Sequence, residues 1–224
     1  MSKLQRGVAL IVEGTTEKVF YQVYLEYCCL HYSGFQIERQ FINGDLSFIV
    51  KGPDCEGCLV VFHSMDTITQ MPNAGAWFKN VCKASFATLP WRVFLCYDSD
   101  EYHYPVTKFH EGDWERLREE IGLDAEGIYD LTAEADIEDV MLCDYKGVLS
   151  WLGLPADTVR PSGRNGKSCM RNLFRLSGER GAYHTGERSR PLVEALDMNA
   201  IEQAALVDLR TLRQVIFEPV NFDR

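Results

Sequence analysis

Hydrophobic and polar residues succeed one another along the chain in blocks that predict strands and helices in turn. Residues 8–12 (VALIV) are a continuous apolar run, which is typical of a parallel strand buried on both faces. Residues 91–97 (WRVFLCY) form the clearest strand pattern in the chain. Residues 35–42 and 127–131 are expected to form two further strands. Residues 59–62 (LVVF) fit either a strand or the start of a helix.

Apolar residues at helical spacing predict helices between and after these strands. The first helix follows Gly14, with Thr15 or Thr16 as its N-cap and Glu17 in its first turn. The others are expected at residues 73–89, 113–121, 138–143, 167–176, 190–196 and 200–217. This alternation predicts an α/β fold with a mostly parallel sheet flanked by helices and a helical C-terminal appendage. The predicted units are a catalytic domain at residues 1–152 and a basic, mainly helical extension at residues 153–224, packed on it.

The composition is that of an ordinary globular protein. The chain has 224 residues, of which 46% are hydrophobic and 25% charged, so it can form a core without disulfides or a structural metal. No apolar run reaches the roughly 18 residues that cross a bilayer, and the first residues lack the pattern of a signal peptide. We therefore expect no membrane contact and a cytoplasmic location.

The eight cysteines are scattered through apolar stretches and are expected to be reduced, mostly buried thiols. Cys55 and Cys58 have the spacing of half a zinc site, but no second pair completes it. A metal or redox role for this pair is the less favoured alternative.

The net charge of −10 argues against a nucleic-acid partner, but the distribution of charge argues for one. Between residues 159 and 190 the chain has eight Lys or Arg and two acidic residues, a local charge of +6. A basic surface on an acidic body suits a polyanion. Five glycines also interrupt this stretch, so a solvated loop is an equal alternative. The expected nucleic-acid contacts are Arg160, Arg164, Lys167, Arg171 and Arg175.

Three acidic residues follow the ends of two predicted strands. Glu13 comes directly after the first strand, and Asp98 and Asp100 come directly after the strand at residues 91–97. Ligands of open α/β sheets bind outside the carboxyl ends of the strands. Alternate residues point the same way, so the carboxylates of Asp98 and Asp100 would repel unless a cation lay between them. Oxygen ligands suit Mg²⁺ or Mn²⁺, whereas a helix-capping turn would explain only one of the three acids.

Two segments of the chain resemble a known family. Residues 12–18 (VEGTTEK) and 94–100 (FLCYDSD) are similar to the motifs of the Toprim domain, which topoisomerases, primases and several nucleases share. The family has an apolar strand, Glu-Gly and a helix, and later an apolar strand that ends in Asp-x-Asp. With Phe20 and Tyr21 after it, the first motif looks most like the small nuclease branch near the OLD (overcoming lysogenization defect) nucleases. The resemblance covers residues 6–145 and implies a Toprim-like (Rossmann-like) fold.

The resemblance implies further site residues. Glu138 matches an acidic position of that branch at the start of a helix, although Asp136 stands where relatives often have a serine. Lys167 is similar to a late lysine of the branch that stabilises phosphate charge, and the alternative is an ordinary surface lysine. The expected metal ligands are Glu13, Glu17, Asp98, Asp100 and Glu138. The expected catalytic residues are Glu13, Asp98, Asp100 and Lys167.

These features predict a Mg²⁺-dependent phosphodiesterase, a Toprim endonuclease that cuts DNA or RNA and in which Mn²⁺ could replace Mg²⁺. One or two ions would orient the scissile phosphate, activate a water and neutralise the developing charge. The chain has no HExxH, no GxSxG and no complete P-loop, which argues against zinc, serine and nucleotide hydrolases.

The resemblance also implies a function in anti-phage defence and an ABC-type ATPase as a partner. The alternative function is a regulated interaction subunit of such an ATPase-containing complex, inactive alone. The helices after Lys167 could also mediate a homo-oligomer.

Overall fold

The computed structural model describes residues 4–53, 55–67, 70–98, 111–133, 136–178 and 181–218. In these ranges the chain forms a six-stranded sheet in the order β2-β3-β4-β1-β5-β6. The strands are β1 (Arg6–Val12), β2 (Gln36–Ile42), β3 (Asp45–Gly52), β4 (Cys55–Ser64), β5 (Trp91–Asp98) and β6 (Gly127–Ala133). Strands β4, β1, β5 and β6 are parallel, whereas β3 is antiparallel to both β2 and β4. The predicted α/β fold with a mostly parallel sheet is confirmed.

Helices cover both faces of this sheet. They are α1 (Thr15–His31), α2 (Met71–Trp77), α3 (Glu111–Ile121), α4 (Ile137–Met141), α5 (Tyr145–Leu152), α6 (Gly166–Ser177), α7 (Arg190–Val193), α8 (Met198–Ala204) and α9 (Leu209–Phe217). A π-helical turn, Phe78–Lys83, continues α2. Alternate β1 side chains enter different layers: Val8 and Leu10 pack with α1, while Ala9 and Ile11 pack with α2 and α3.

Several local details differ from the sequence-based expectation. Residues 59–62 belong to a strand, and the unexpected β3 forms a hairpin with β2. The helix expected at residues 200–217 is two helices, because Ala205 is extended and the Asp208 side chain caps α9. The N-cap of α1 is Gly14 rather than Thr15 or Thr16. Both threonine hydroxyls instead bond to distant residues, Asp66 and Gly186.

The C-terminal helices share one apolar layer with α1 and the sheet. The apolar cluster that contains Val8 and Leu10 of β1 also contains buried side chains of four later helices: Leu173, Leu192, Ile201 and Leu212. Arg6 of β1 also donates hydrogen bonds to the carbonyl oxygens of Ile216, at 2.7 Å, and Glu218, at 3.2 Å. Residues from both ends of the chain therefore build the core beneath the site.

Among the described residues, no helix has the length and apolar character needed to cross a membrane. Seven described cysteine side chains are free thiols, and all of them except Cys143 are buried. The Cys55 side chain lies outside the described part of the chain, so the pairing of Cys55 with Cys58 stays a prediction.

Candidate functional site

A cleft of about 450 Å³ opens at the carboxyl edge of the parallel strands. The turn between β1 and α1, the loop after β4, the end of β5 and the starts of α4 and α6 form its walls, together with the segment before α7. Five predicted site residues line it: Glu13, Glu17, Asp98, Glu138 and Lys167. The remaining predicted ligand, Asp100, lies outside the described residues.

Strand order brings Glu13 and Asp98 together. Strands β1 and β5 are neighbours, and the backbone N–H of Glu13 donates to the carbonyl oxygen of Cys96 at 3.0 Å. The backbone N–H of Asp98 in turn donates to Glu13 Oε2 at 3.3 Å. Residues 85 positions apart therefore present their carboxylates at one point of the sheet edge.

Glu17 lies in the first turn of α1, close behind Gly14, the N-cap of the helix. A Cβ atom on Gly14 would lie 2.8 Å from Glu17 Oε2, so a side chain at residue 14 would displace the end of the Glu17 side chain from this position. Gly14 thus allows the Glu17 carboxylate to fold back over the start of the helix. The glycine in the Glu-Gly-x-x-Glu pattern of residues 13–17 thus leaves room for the Glu17 carboxylate.

The starts of α4 and α6 are bonded to each other, and this places Glu138 and Lys167 in one cleft. Asp136 caps α4 by accepting from the N–H of Asp139 at 3.0 Å, and it also accepts from the N–H of Lys167 at 3.0 Å. Asp139 accepts from the N–H of Gly166 at 2.8 Å. Asp136 occupies the position where a serine was expected by resemblance, and both residue types serve as N-caps.

The junction between α4 and α6 also requires a glycine. A Cβ atom on Gly166 would lie 2.2 Å from the backbone nitrogen of Asp139. The two helix starts can approach this closely only because residue 166 lacks a side chain.

Burial and mutual repulsion raise the pKa values of several carboxyl groups in the cleft. Burial, followed by repulsion from Glu17 and Glu13, raises the pKa of Asp98 to about 9. Burial likewise raises the pKa of Glu17 to about 8, and Glu138 and Glu13 add repulsion there. The pKa values of Asp136 and Glu138 are raised as well, with burial again the largest cause. Among the described lining residues Lys167 is the one cation beside six acidic side chains, so carboxyl groups far outnumber cations in the cleft.

The donors of the cleft match a hard divalent cation in chemical type. Asp98 Oδ1 is buried and has no hydrogen-bond partner in the described ranges, which leaves an oxygen available for a ligand. Carboxylate oxygens are the donors that Mg²⁺ and Mn²⁺ prefer. As the described side chains stand, however, no group of three or more His, Cys, Asp or Glu is arranged to hold a metal ion.

The predicted nucleic-acid contacts divide into two groups. Lys167, Arg171 and Arg175 follow one another at four-residue steps on α6, so they share a face that runs outward from the cleft. Arg164, Arg171 and Arg175 are exposed. Arg160 is different, because it pairs with Asp139 at 2.7 Å and lines a separate groove.

Sequence reasoning missed two polar residues of the site. Asp66, after β4, accepts hydrogen bonds from Thr15 Oγ1 at 2.9 Å and Ser64 Oγ at 2.7 Å. Its position after a strand is the same signal that identified Glu13, but the ambiguous pattern of β4 concealed it. Tyr183 donates to Glu138 Oε1 at 2.9 Å, and no local pattern around residue 183 indicates this contact.

The fold and the cleft define a class: an α/β protein with an acidic site at the carboxyl edge of a parallel sheet. No protein-family model matches the chain, and no curated protein matches it in sequence. The resemblance in the two motifs therefore stays a prediction.

Proposed function

We propose that the protein is a Mg²⁺-dependent phosphodiesterase of the Toprim type, an endonuclease that cuts DNA or RNA. The observation that supports this most is the convergence of Glu13, Glu17, Asp98 and Glu138 with Lys167 on one cleft. These residues come from four separate parts of the sequence. A purely structural function does not account for several mutually repelling carboxyl groups at one sheet edge.

The four carboxylates would hold the cation, with Asp100 as a further ligand on the strength of the resemblance, and Mn²⁺ could replace Mg²⁺. A bound cation would neutralise the negative charge that develops on a phosphodiester during hydrolysis. The Glu138 side chain and the Oδ1 atom of Asp98 are buried, so little water reaches these parts of the two carboxyl groups. This strengthens every electrostatic contact made there.

Lys167 would bind a phosphate oxygen of the substrate. It lies in the first turn of α6, and its backbone is held by Asp136. Its ammonium group makes no hydrogen bond or ion pair within the described ranges and is available to a ligand. Arg171 and Arg175 continue the same face of α6 and would bind the next phosphates along the strand.

The biological setting belongs to the same proposal. The resemblance to the small nuclease branch supports anti-phage defence, a cytoplasmic location and an ABC-type ATPase as a partner. A regulated subunit that is inactive alone is the second candidate function, and the experiment below separates it from an autonomous nuclease.

The test is cleavage of single-stranded DNA, double-stranded DNA and RNA by the purified chain, with Mg²⁺, with Mn²⁺ and with EDTA. We expect cleavage only with a divalent cation. Asp98→Ala should lower the rate by at least about 100-fold, because even changes beyond the metal ligands cost 10–100-fold. Asp157→Ala, at an exposed position outside the cleft lining, should cleave like the parent.

Equal cleavage by Asp98→Ala, or full cleavage in EDTA, would contradict the proposal. A parent chain that binds Mg²⁺ but cleaves none of the three substrates would instead favour the regulated subunit.

A further inference from the structure

A buried hydrogen bond joins the C-terminal part of the chain to the acidic cleft. The Tyr183 hydroxyl donates to Glu138 Oε1 at 2.9 Å, across 45 positions of sequence. Only 2% of Glu138 and 8% of Tyr183 is exposed, so bulk water does not compete with this bond.

Tyr183 is itself held firmly by its surroundings. Its ring packs against Phe174 of α6, with the ring centroids 5.3 Å apart. Three residues later, the N–H of Gly186 donates to Thr16 Oγ1 at 2.9 Å, which ties the segment to the start of α1. Ser189 Oγ donates to the carbonyl oxygen of Gly186 at 2.7 Å and closes the turn.

We propose that Tyr183 is a positioning residue for the metal site: its hydroxyl fixes one oxygen of Glu138 and leaves the other for the cation. This inference rests on the proposed function. A carboxylate oxygen that accepts from a rigidly packed donor keeps its position, so a cation meets a carboxylate that is already oriented. Groups that orient metal ligands in this way typically change metal affinity by about 10–100-fold when they are removed.

The C-terminal part of the chain also contributes residues that contact the cleft. Residues 183–186 contact the two sides of the cleft, Glu138 at the start of α4 and Thr16 at the start of α1. The extension therefore completes the site rather than merely covering the sheet.

The experiment measures the melting temperature of the full chain at increasing Mg²⁺ concentrations. This reports metal binding without any substrate. Tyr183→Phe removes the hydroxyl and keeps the ring that packs on Phe174. We expect it to raise the Mg²⁺ concentration for half-maximal stabilisation by at least about 10-fold. Tyr145→Phe is the matched control, because the Tyr145 hydroxyl is buried without a hydrogen-bond partner in the described ranges. It should titrate like the parent.

A double-mutant cycle separates positioning from a merely structural effect. Glu138→Gln alone should also weaken the response to Mg²⁺, and adding Tyr183→Phe to that variant should cause no further loss. Additive losses would overturn the inference, as would a Tyr183→Phe curve that superimposes on a responding parent. A parent that does not respond to Mg²⁺ would overturn the proposed function itself and the inference with it.

Discussion

Individual carboxyl groups in the cleft are placed where their charged forms are disfavoured. Burial and the neighbouring acids raise the pKa of Asp98 from 3.8 to about 9, and its buried Oδ1 has no partner among the described residues. Between these two values the folded chain keeps a proton that the unfolded chain has released. Folding then takes up a proton, so the stability of the folded state should fall as the pH rises. The contribution of Asp98 is complete below its unfolded pKa and is lost as the pH passes the folded value.

Asp98→Asn tests this directly, because asparagine has no proton to lose. In EDTA, the melting temperature of the variant relative to the parent should rise between about pH 5 and about pH 9. A change of roughly 1 kcal/mol in the free energy of unfolding shifts the melting temperature by about 2–4 °C in a chain of this size. The exposed control Asp157→Asn should melt in parallel with the parent. A constant offset between Asp98→Asn and the parent across this range would show that Asp98 is charged in the folded state.

Among the elements, α6 connects the acidic cleft to the basic surface. Asn165 caps it and forms a reciprocal capping box with Ser168, and Met170 and Leu173 bury its inner face. Arg171 and Arg175 stand exposed on its outer face. With a rise of 1.5 Å per residue, four-residue steps place these cations about 6 Å apart along the helix. A regular row of cations of this kind suits a regular row of phosphates.

Reversing both arginines, in Arg171→Glu/Arg175→Glu, should weaken nucleic-acid binding. Each phosphate contact contributes about 0.9 to the slope of log affinity against log salt on duplex DNA, so the slope should fall by roughly 2. Arg210→Glu, at an exposed position of α9, is the control for overall charge and should retain the parent slope if α6 is the binding face. Fluorescence anisotropy with a labelled duplex at several salt concentrations measures both quantities. Unchanged binding would assign this face of α6 to a solvated surface or to a protein partner.

At the scale of the whole molecule, one apolar layer holds the sheet, α1 and the C-terminal helices together. Leu10 and Phe20 lie in the same cluster as Leu173, Val193 and Leu212. Removing the later helices would expose the α1 side of the sheet to water. The free-energy cost is roughly 25 cal/mol for every Å² of apolar surface exposed.

The fragment 1–152 should therefore lack the cooperative thermal transition of the full chain. Circular dichroism during heating is the measurement, and addition of the separate fragment 153–224 should restore a transition if the two parts associate. A fragment 1–152 that melts cooperatively by itself would show that the C-terminal helices are dispensable for folding.

Much of the framework follows from local sequence pattern. Largely apolar runs identify β1 and β5, because a strand buried on both faces has few polar residues. Helical spacing identifies α1, α3 and α6. The acids at the carboxyl ends of β1 and β5 mark the edge of a parallel sheet, and the structure places Glu13 and Asp98 side by side there.

Other features depend on tertiary structure. Hydrogen bonds from distant residues hold the two threonine hydroxyls that local reasoning assigned to capping. The bonds between α4 and α6 join residues about 30 positions apart, and Tyr183 reaches Glu138 across 45. Local pattern reports burial and periodicity within one element, and so it determined the strands, most of the helices and the strand-end acids. Which helix starts meet, and which hydroxyl orients which carboxylate, was decided by long-range packing, because those contacts exist only after the chain has folded.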